Sequence, residues 1–367
     1  MHVPWCVRKC PYCDFNSHTQ QGELPETEYL NALLEDLDSE LAWVQGRSLQ
    51  SIFIGGGTPS LMSAEFYQQL LPAIAQRIPF TADIEITLEA NPGTFEQARF
   101  GGFRDAGINR LSLGVQSFDD RCLESLGRIH SGRDAIAAID SANRLGFERI
   151  NLDLMHGLPG QTAEMAMADL QQGIALATSH LSWYQLTIEP NTEFHSRPPL
   201  LPEDEQLWAI QDQGQALLDR SGFSQYEISA YSHPGQQCRH NLNYWRFGDY
   251  IGIGAGAHGK LTDLKQQQLI RRWKQRQPKA YQTHPRQSQV QVLSSDDLAL
   301  EFMMNGLRLN QGVEASLFES RTGLALIQIQ PQLDRARQLG LLEQESSWLT
   351  PTPHGRRFLN DLLELFV

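Results

Sequence analysis

Three cysteines near the start of the chain narrow its fold and chemistry more than any other feature. Cys6, Cys10 and Cys13 stand in the run His2-Val3-Pro4-Trp5-Cys6-Val7-Arg8-Lys9-Cys10-Pro11-Tyr12-Cys13-Asp14-Phe15, a C-x3-C-x2-C spacing. Thiolates this close on a short loop can each take one iron of a cubane cluster, which usually has four cysteine ligands. Three leave one iron open to a small molecule, much as a catalytic zinc site keeps one position free. Two simpler arrangements use the same residues: a structural zinc with His18 as fourth ligand, or a disulfide with a spare cysteine. The chain has 5 cysteines, and Cys122 and Cys238 lie apart from the loop. So low and odd a count argues against a secreted disulfide framework and for a reducing cytoplasm.

Composition closes off other classes. The formal net charge of -13 weighs against a general nucleic-acid binder, which would want a basic surface. No apolar run approaches the roughly 20 residues of a membrane span, and the N-terminus has no apolar signal segment. At 367 residues, 41% of them hydrophobic, the chain can bury a sizeable core in one large domain plus a small one.

Along the chain, short apolar strands alternate with amphipathic helices. Only Met1 to Pro4 precede the cysteine loop, too little for a full first strand. Leu30, Leu33, Leu34, Leu37, Leu41 and Val44 predict a helix over Pro25 to Val44. Strands are expected at Ser51–Ile54, Ile84–Leu88, Arg110–Leu113, Ile150–Leu154 and Leu181–Leu186. Helices are expected at Ala64–Gln76, from a Thr94/Gln97 capping box to Ala106, and at Asp119–Leu126, Asp134–Leu145 and Ala163–Ala177. This alternation predicts an α/β fold, a parallel sheet closing as a partial (β/α)6 barrel with its chemistry at the C-terminal strand ends. Residues 1–190 form that unit. Residues 191–288 are read as an extension of it, with a helix at Glu203–Leu218 and strands at Gln225–Ser229 and Tyr250–Ile253. Residues 289–367 turn helical, with helices at Asp296–Leu307, Leu324–Leu339 and Gly355–Phe366. A hairpin of Leu341–Glu343 with Ser347–Leu349 would make this a small winged-helix-like domain.

Candidate site residues fall at the expected strand ends. Gly55-Gly56-Gly57-Thr58-Pro59 offers unobstructed backbone groups to a ligand. Glu89 closes the next strand, where a carboxylate can accept from ribose hydroxyls. Gln116 follows the next, and Arg128, in Leu126-Gly127-Arg128-Ile129-His130, can clamp a carboxylate bidentately. Asp153 lies in the strand that leads to His156-Gly157-Leu158-Pro159-Gly160.

The cysteine spacing, with Tyr12 before the last cysteine, resembles that of the radical S-adenosylmethionine (SAM) enzymes. From Met1 to about Gly259 the segments resemble one branch: oxygen-independent coproporphyrinogen III dehydrogenase and its haem-chaperone relatives. The resemblance implies a [4Fe-4S] cluster on Cys6, Cys10 and Cys13 whose open iron chelates SAM. Electron transfer from the reduced cluster would then split the SAM sulfonium. It further implies SAM contacts from Gly56, Gly57, Thr58, Glu89, Gln116, Arg128 and Asp153, with Tyr12 stacking nearby, and weaker contacts from Thr187 and His258. Dimerisation on cluster loading is a trait of relatives.

Two signals divide the branch. The dehydrogenase carries a further cysteine two positions after the third, where this chain has Phe15. The chaperones carry His-Asn-x-x-Tyr-Trp, which here reads His240-Asn241-Leu242-Asn243-Tyr244-Trp245. The resemblance thus implies a haem chaperone that passes haem to apo-haemoproteins. The rivals are the decarboxylating dehydrogenase and a nucleic-acid-modifying radical SAM protein using the winged module and the basic stretch Arg271–Lys279. A neutral imidazole is a good haem ligand, so His240 is expected on a partly exposed loop near the barrel mouth. Tyr244 and Trp245 would stack on the porphyrin, and Arg271, Arg272 and Lys274 would pair with its propionates. Phe15 is expected to pack against the cysteine loop.

Overall fold

The computed structural model describes residues 1–176, 178–345 and 347–367, with the side chains of Thr94 and Phe95 outside the description. An eight-stranded sheet dominates. Its order is His2–Val3, Leu49–Gly56, Phe80–Ala90, Arg110–Gln116, Arg149–His156, His180–Gln185, Ala230–Ser232 and Ser224–Gln225. The first six strands run parallel, and the last two are antiparallel additions. The sheet is thus a partial barrel of six parallel strands, and among the described residues its edge strands do not pair. The short first strand does form: His2 and Val3 pair with Gly55 and Gly56.

Side chains alternate across the sheet. Ile52 and Ile54, Ile86 and Leu88, Leu111 and Leu113, and Ile150, Leu152 and Leu154 join one core with the flanking helices. The opposite face is polar, carrying Glu85 and Glu89, Arg110 and Ser112, Asn151 and Asp153, and His180 and Ser182. Parallel strands covered on both faces usually read as continuous apolar runs, so this polar face marks the site.

Helix starts follow local capping chemistry. Ser63 caps Ala64–Arg77, Thr162 caps Ala163–Ala175, and Ser131 with Asp134 forms a capping box for Gly132–Arg144. The helix expected to end at Ala177 stops at Ala175, and Ala177 lies outside the described residues.

Several expectations need correction. The helix expected from Thr94 to Ala106 is two short ones, Thr94–Gln97 and Phe100–Asp105, the second weakened by Gly101 and Gly102; a Thr94 capping bond lies outside the described side chains. Tyr250–Ile253 is not a strand. Tyr250 makes one bridge to Lys260, and the real sheet there is His258–Asp263, Gln268–Lys274 and Ser288–Val292. In the C-terminal domain a helix at Ala315–Thr322 was not foreseen. Pro331 divides the expected Leu324–Leu339 helix into a 3-10 turn, Leu326–Ile329, and a helix, Gln330–Gln338. The last helix likewise divides into Pro353–Arg357 and Leu359–Glu364. Trp348–Leu349 pairs with Val313–Glu314, while Leu342 makes only a bridge to Pro351. Leu298, Phe302, Phe318, Leu333 and Leu362 give this domain its own core.

The basic stretch is structural. Lys274 is buried and lies 2.5 Å from Asp36 and 2.6 Å from Glu40. Arg272 meets Glu40 at 2.9 Å, and Arg271 meets Glu301 at 2.5 Å. These side chains tie the small sheet to the helices Glu26–Glu40 and Ser295–Gly306, so they are not free for propionates. Removing one partner of a buried pair strands the other charge. Lys274→Met should therefore cost about 3–5 kcal/mol in thermal unfolding, whereas the exposed Arg276→Ala should change it by less than about 0.5 kcal/mol.

Candidate functional site

The cysteine loop caps the C-terminal ends of the parallel strands. Trp5–Cys6 pairs with His18–Thr19. The loop is tied to the glycine run by Gly57 N–H donating to Val3 O at 2.7 Å and Thr58 N–H to Trp5 O at 2.6 Å. A side chain at Gly57 would collide with the Trp5 carbonyl, and Gly56 has φ +122°, so both positions need glycine. All five cysteines are free. Burial raises the Cys6 pKa, and the neighbouring Cys13 and Cys10 thiols push it the same way. The three thiols are near enough to interact electrostatically, and as thiolates they would repel unless a cationic group lay between them. His18 turns to Asn16 Oδ1 at 3.3 Å, and this cysteine set is not drawn within the span of a single ion. The zinc arrangement is not supported.

Around this loop the structure assembles most of the expected residues. Arg128 reaches Cys10 Sγ with Nη1 at 3.7 Å, and its Nη2 donates to Asn91 Oδ1 and Gly114 O, both at 2.7 Å. Its Nε is buried with no partner. Asn91 also donates to Thr58 at 3.2 Å. Glu89 accepts from Gly56 N–H at 3.1 Å. Burial, and then the charge of Asp153, push its pKa up to about 8. Asp153 accepts from Ser112 at 3.2 Å and Asn151 at 2.8 Å, and burial raises it too. Gln116 sits at φ +70° beside a register shift, a bulge that aims its side chain at Tyr184 Oη, 3.0 Å away. Tyr12 lies beside Arg128, its ring 6.4 Å from Phe194.

Two expected contacts lie at the surface. Thr187 is exposed and donates to Glu189 at 3.0 Å. His258 is exposed and stacks over Trp273 at 6.4 Å. Sequence reasoning missed Asn91 and Tyr184. Asn91 stands two positions after Glu89 and was a findable signal, whereas Tyr184 is brought in only by strand pairing.

At the opposite end of the same face lies a second cluster. Glu85 is buried, 3.3 Å from Arg110 and 3.4 Å from Arg149, and it accepts from Arg239 N–H at 2.8 Å. Burial pulls its pKa up, but bonding from His240 and the charge of Arg110 outweigh this and hold it at about 2. His240 is not on a loop at the barrel mouth. It lies in the short helix Arg239–Trp245, at the N-terminal strand ends, with its side chain 13% exposed. Its Nδ1 is 2.8 Å from Cys238 Sγ, and its ring stacks on Phe53 at 4.3 Å. Burial lowers its pKa, so the imidazole is neutral at neutral pH. Trp245 turns away: Arg308 covers its ring at 4.4 Å and it packs on the C-terminal core. Phe15 does not pack on its loop either, being 63% exposed.

A hydrogen-bonded column joins the two ends. Asp153 meets Asn151, Asn151 meets His180 Nδ1 at 2.7 Å, and His180 Nε2 meets Tyr226 Oη at 2.9 Å. Tyr226 Oη in turn accepts from Asn241, within the histidine motif, at 3.3 Å.

Comparison with known proteins supplies the family. The Radical SAM superfamily pattern matches residues 1–172, and the HemN C-terminal domain pattern matches residues 293–358. Heme chaperone HemW of Escherichia coli is 52% identical over 367 residues, covering 100% of this chain and 97% of that protein. This chain belongs to the HemW family of radical SAM proteins. The Bacillus subtilis HemW is 33% identical and also covers 100% of this chain, and 98% of its own. A mitochondrial radical S-adenosyl methionine domain-containing protein 1 of Bos taurus is 35% identical, covering 87% of this chain and 70% of that protein. The solved structure of HemN, the coproporphyrinogen III oxidase of Escherichia coli, has the same fold. Its TM-score is 0.83 at 22% identity, covering 100% of this chain and 88% of that one.

Membership of a radical SAM family implies a [4Fe-4S] cluster and SAM. The residues at the C-terminal strand ends fit both groups. Three free cysteines on one short loop suit a cationic cluster. An incompletely paired guanidinium suits a carboxylate, and two carboxyls with no cationic side chain bonded to them suit ammonium or hydroxyl donors.

The Glu89 shift has a measurable sign. Its carboxyl titrates near 4.5 in the unfolded chain and near 8 in the fold. The folded state holds the extra proton between those values, so stability falls as pH rises through that window. Glu89→Gln removes this titration. In thermal unfolding of ligand-free protein, its stability relative to the parent should improve by roughly 2 kcal/mol or more between about pH 5 and about pH 9.

Proposed function

We propose that this chain is a haem chaperone that carries a [4Fe-4S] cluster, SAM and haem and delivers haem to apo-haemoproteins. The observation that carries the haem role is His240: a neutral imidazole, fixed by Phe53 and Cys238, within the His-Asn-x-x-Tyr-Trp run. The full-length likeness to proteins named heme chaperone HemW supports it. In this reading Cys6, Cys10 and Cys13 hold the cluster, which supplies an open iron for SAM and, when reduced, an electron. Arg128 takes the SAM carboxylate, while Glu89 and Asp153 accept from its hydroxyl and ammonium donors. The backbone of Gly56, Gly57 and Thr58 lines its approach, and Gln116 and Tyr12 bound the pocket. Thr187 and His258, both exposed, are at most rim contacts.

The coproporphyrinogen dehydrogenase reading asks for a cysteine at the position of Phe15. The nucleic-acid reading loses its basic surface, since Arg271, Arg272 and Lys274 are paired internally. Among the described residues no helix is long and apolar enough to cross a membrane. A cytoplasmic setting and a homodimer formed on cluster loading belong to this same proposal.

Anaerobic reconstitution with iron and sulfide, followed by haem titration and transfer to an apo-haemoprotein, tests the reading. Conversion of coproporphyrinogen III under reducing conditions would overturn it. Cys6→Ala, Cys10→Ala and Cys13→Ala should each abolish cluster uptake, measured as iron and sulfide content. His240→Ala should weaken haem binding by on the order of tenfold or more in a Soret titration, with cluster content unchanged. Arg128→Lys keeps the charge but loses the fork, so SAM affinity by calorimetry should fall roughly tenfold with the cluster still loaded.

A further inference from the structure

At the N-terminal strand ends, away from the cysteine loop, the structure holds a cavity of about 450 Å³. Its wall runs along Leu49–Phe53, past Ile74 and Ile78 at the end of one helix, to Tyr250–Ile253, and His240 and Tyr244 face it. Its size is that of a small-molecule pocket, and its lining combines an apolar and aromatic part with polar and charged side chains. Phe53 and Ile52 offer flat and branched apolar surface, and Tyr244 meets Tyr250 edge-on at 4.7 Å, so the chamber has aromatic sides.

Its rim is cationic in a protein of formal net charge -13. Arg47, Arg239 and Arg321 line it. Arg47 pairs with Asp249 at 2.7 Å, but Asp249 is already matched by Lys260 at 3.1 Å. Arg239 pairs with Asp83 at 2.7 Å, a contact with Asp83 largely exposed. Arg321, at the end of Ala315–Thr322, is exposed and has no ion-pair partner among the described residues. Arg47, Arg239, Arg321 and Lys260 against Asp249 and Asp83 leave two positive charges in surplus. The exposed Arg239–Asp83 pair exchanges partners at little cost, whereas Asp249 of the Arg47 pair is largely buried and Arg47 also donates to Trp43 O and Val44 O.

We propose that this cavity receives a flat apolar macrocycle bearing two carboxylates, whose propionates are taken by Arg321 together with Arg47 and Arg239. The proposal rests on the haem reading above and adds the chamber and the anchors. It assigns the propionates to a different set from Arg271, Arg272 and Lys274. It also gives the C-terminal domain a share in the ligand, because Arg321 belongs to that domain whereas Phe53 and His240 belong to the sheet and its extension.

Titration of reconstituted protein with haemin and with haemin dimethyl ester separates the two ideas. The wild type should bind haemin at least roughly tenfold tighter than the ester, which lacks the anionic groups. Arg321→Ala should weaken haemin roughly tenfold, leave the ester unaffected and leave the Soret position unchanged. Arg47→Ala should act in the same direction and Arg276→Ala should not. Equal wild-type affinity for haemin and ester, or wild-type haemin affinity in both Arg321→Ala and Arg47→Ala, would overturn the cavity assignment while leaving a haem chaperone. If His240→Ala keeps its Soret spectrum and affinity while discrimination against the ester persists, the axial ligand is wrong and the cavity stands. Failure of the reconstituted wild type to bind haemin would end both.

Discussion

A carboxyl group taken out of water must be paired with a cation or keep its proton, and the inner face of this sheet carries three of them. Glu85 is paired. Arg110, Arg149 and His240 surround it, and its pKa falls to about 2. Glu89, on the same strand, has a backbone N–H and no cationic side chain bonded to it, and its pKa rises to about 8. Asp153 is bonded by neutral amides and hydroxyls and is raised as well. A carboxyl is therefore a closed structural element at one end of the sheet and an acceptor without a cationic partner at the other.

That contrast arranges the rest of the molecule. Where Glu89 and Asp153 wait, the cysteine loop, the glycine run and Arg128 bring thiols, bare backbone and a guanidinium to the strand ends. Where Glu85 is satisfied, the short helix Arg239–Trp245 can be anchored by the Arg239 N–H and His240 fixed against Phe53. Phe53 and Gly56 lie on one strand three residues apart, roughly 10 Å. Both ends thus share a rigid support, and the chain from Asp153 through Asn151, His180 and Tyr226 fills the space between them with satisfied polar groups.

The errors of sequence reading have one cause: it identifies a side chain but not its partners. Arg271, Arg272 and Lys274 read as a basic patch, yet Asp36, Glu40 and Glu301 from distant helices consume them. Tyr244 and Trp245 read as one stacking pair, but on a helix adjacent residues point about 100° apart. Tyr244 lines the cavity, and Trp245 joins the C-terminal core. Phe15 was expected to bury its ring, and nothing comes to cover it.

What the sequence determined by itself is what depends on local spacing. The C-x3-C-x2-C loop, the alternation of strands and helices, the capping residues, the strand-end positions of Gly56, Glu89 and Gln116 and the placing of Asp153 within its strand all follow from short-range periodicity and turn chemistry. What only the tertiary structure decided depends on pairing between remote segments. Strand register put Tyr184 on Gln116 and Asp153 beside Ser112. Packing of the short helix Arg239–Trp245 against Glu85 and Phe53 set His240 at the N-terminal strand ends. Docking of the C-terminal domain brought Arg321 to the same cavity as Phe53. No local pattern encodes these, because each is fixed by which surfaces bury one another once the chain has closed.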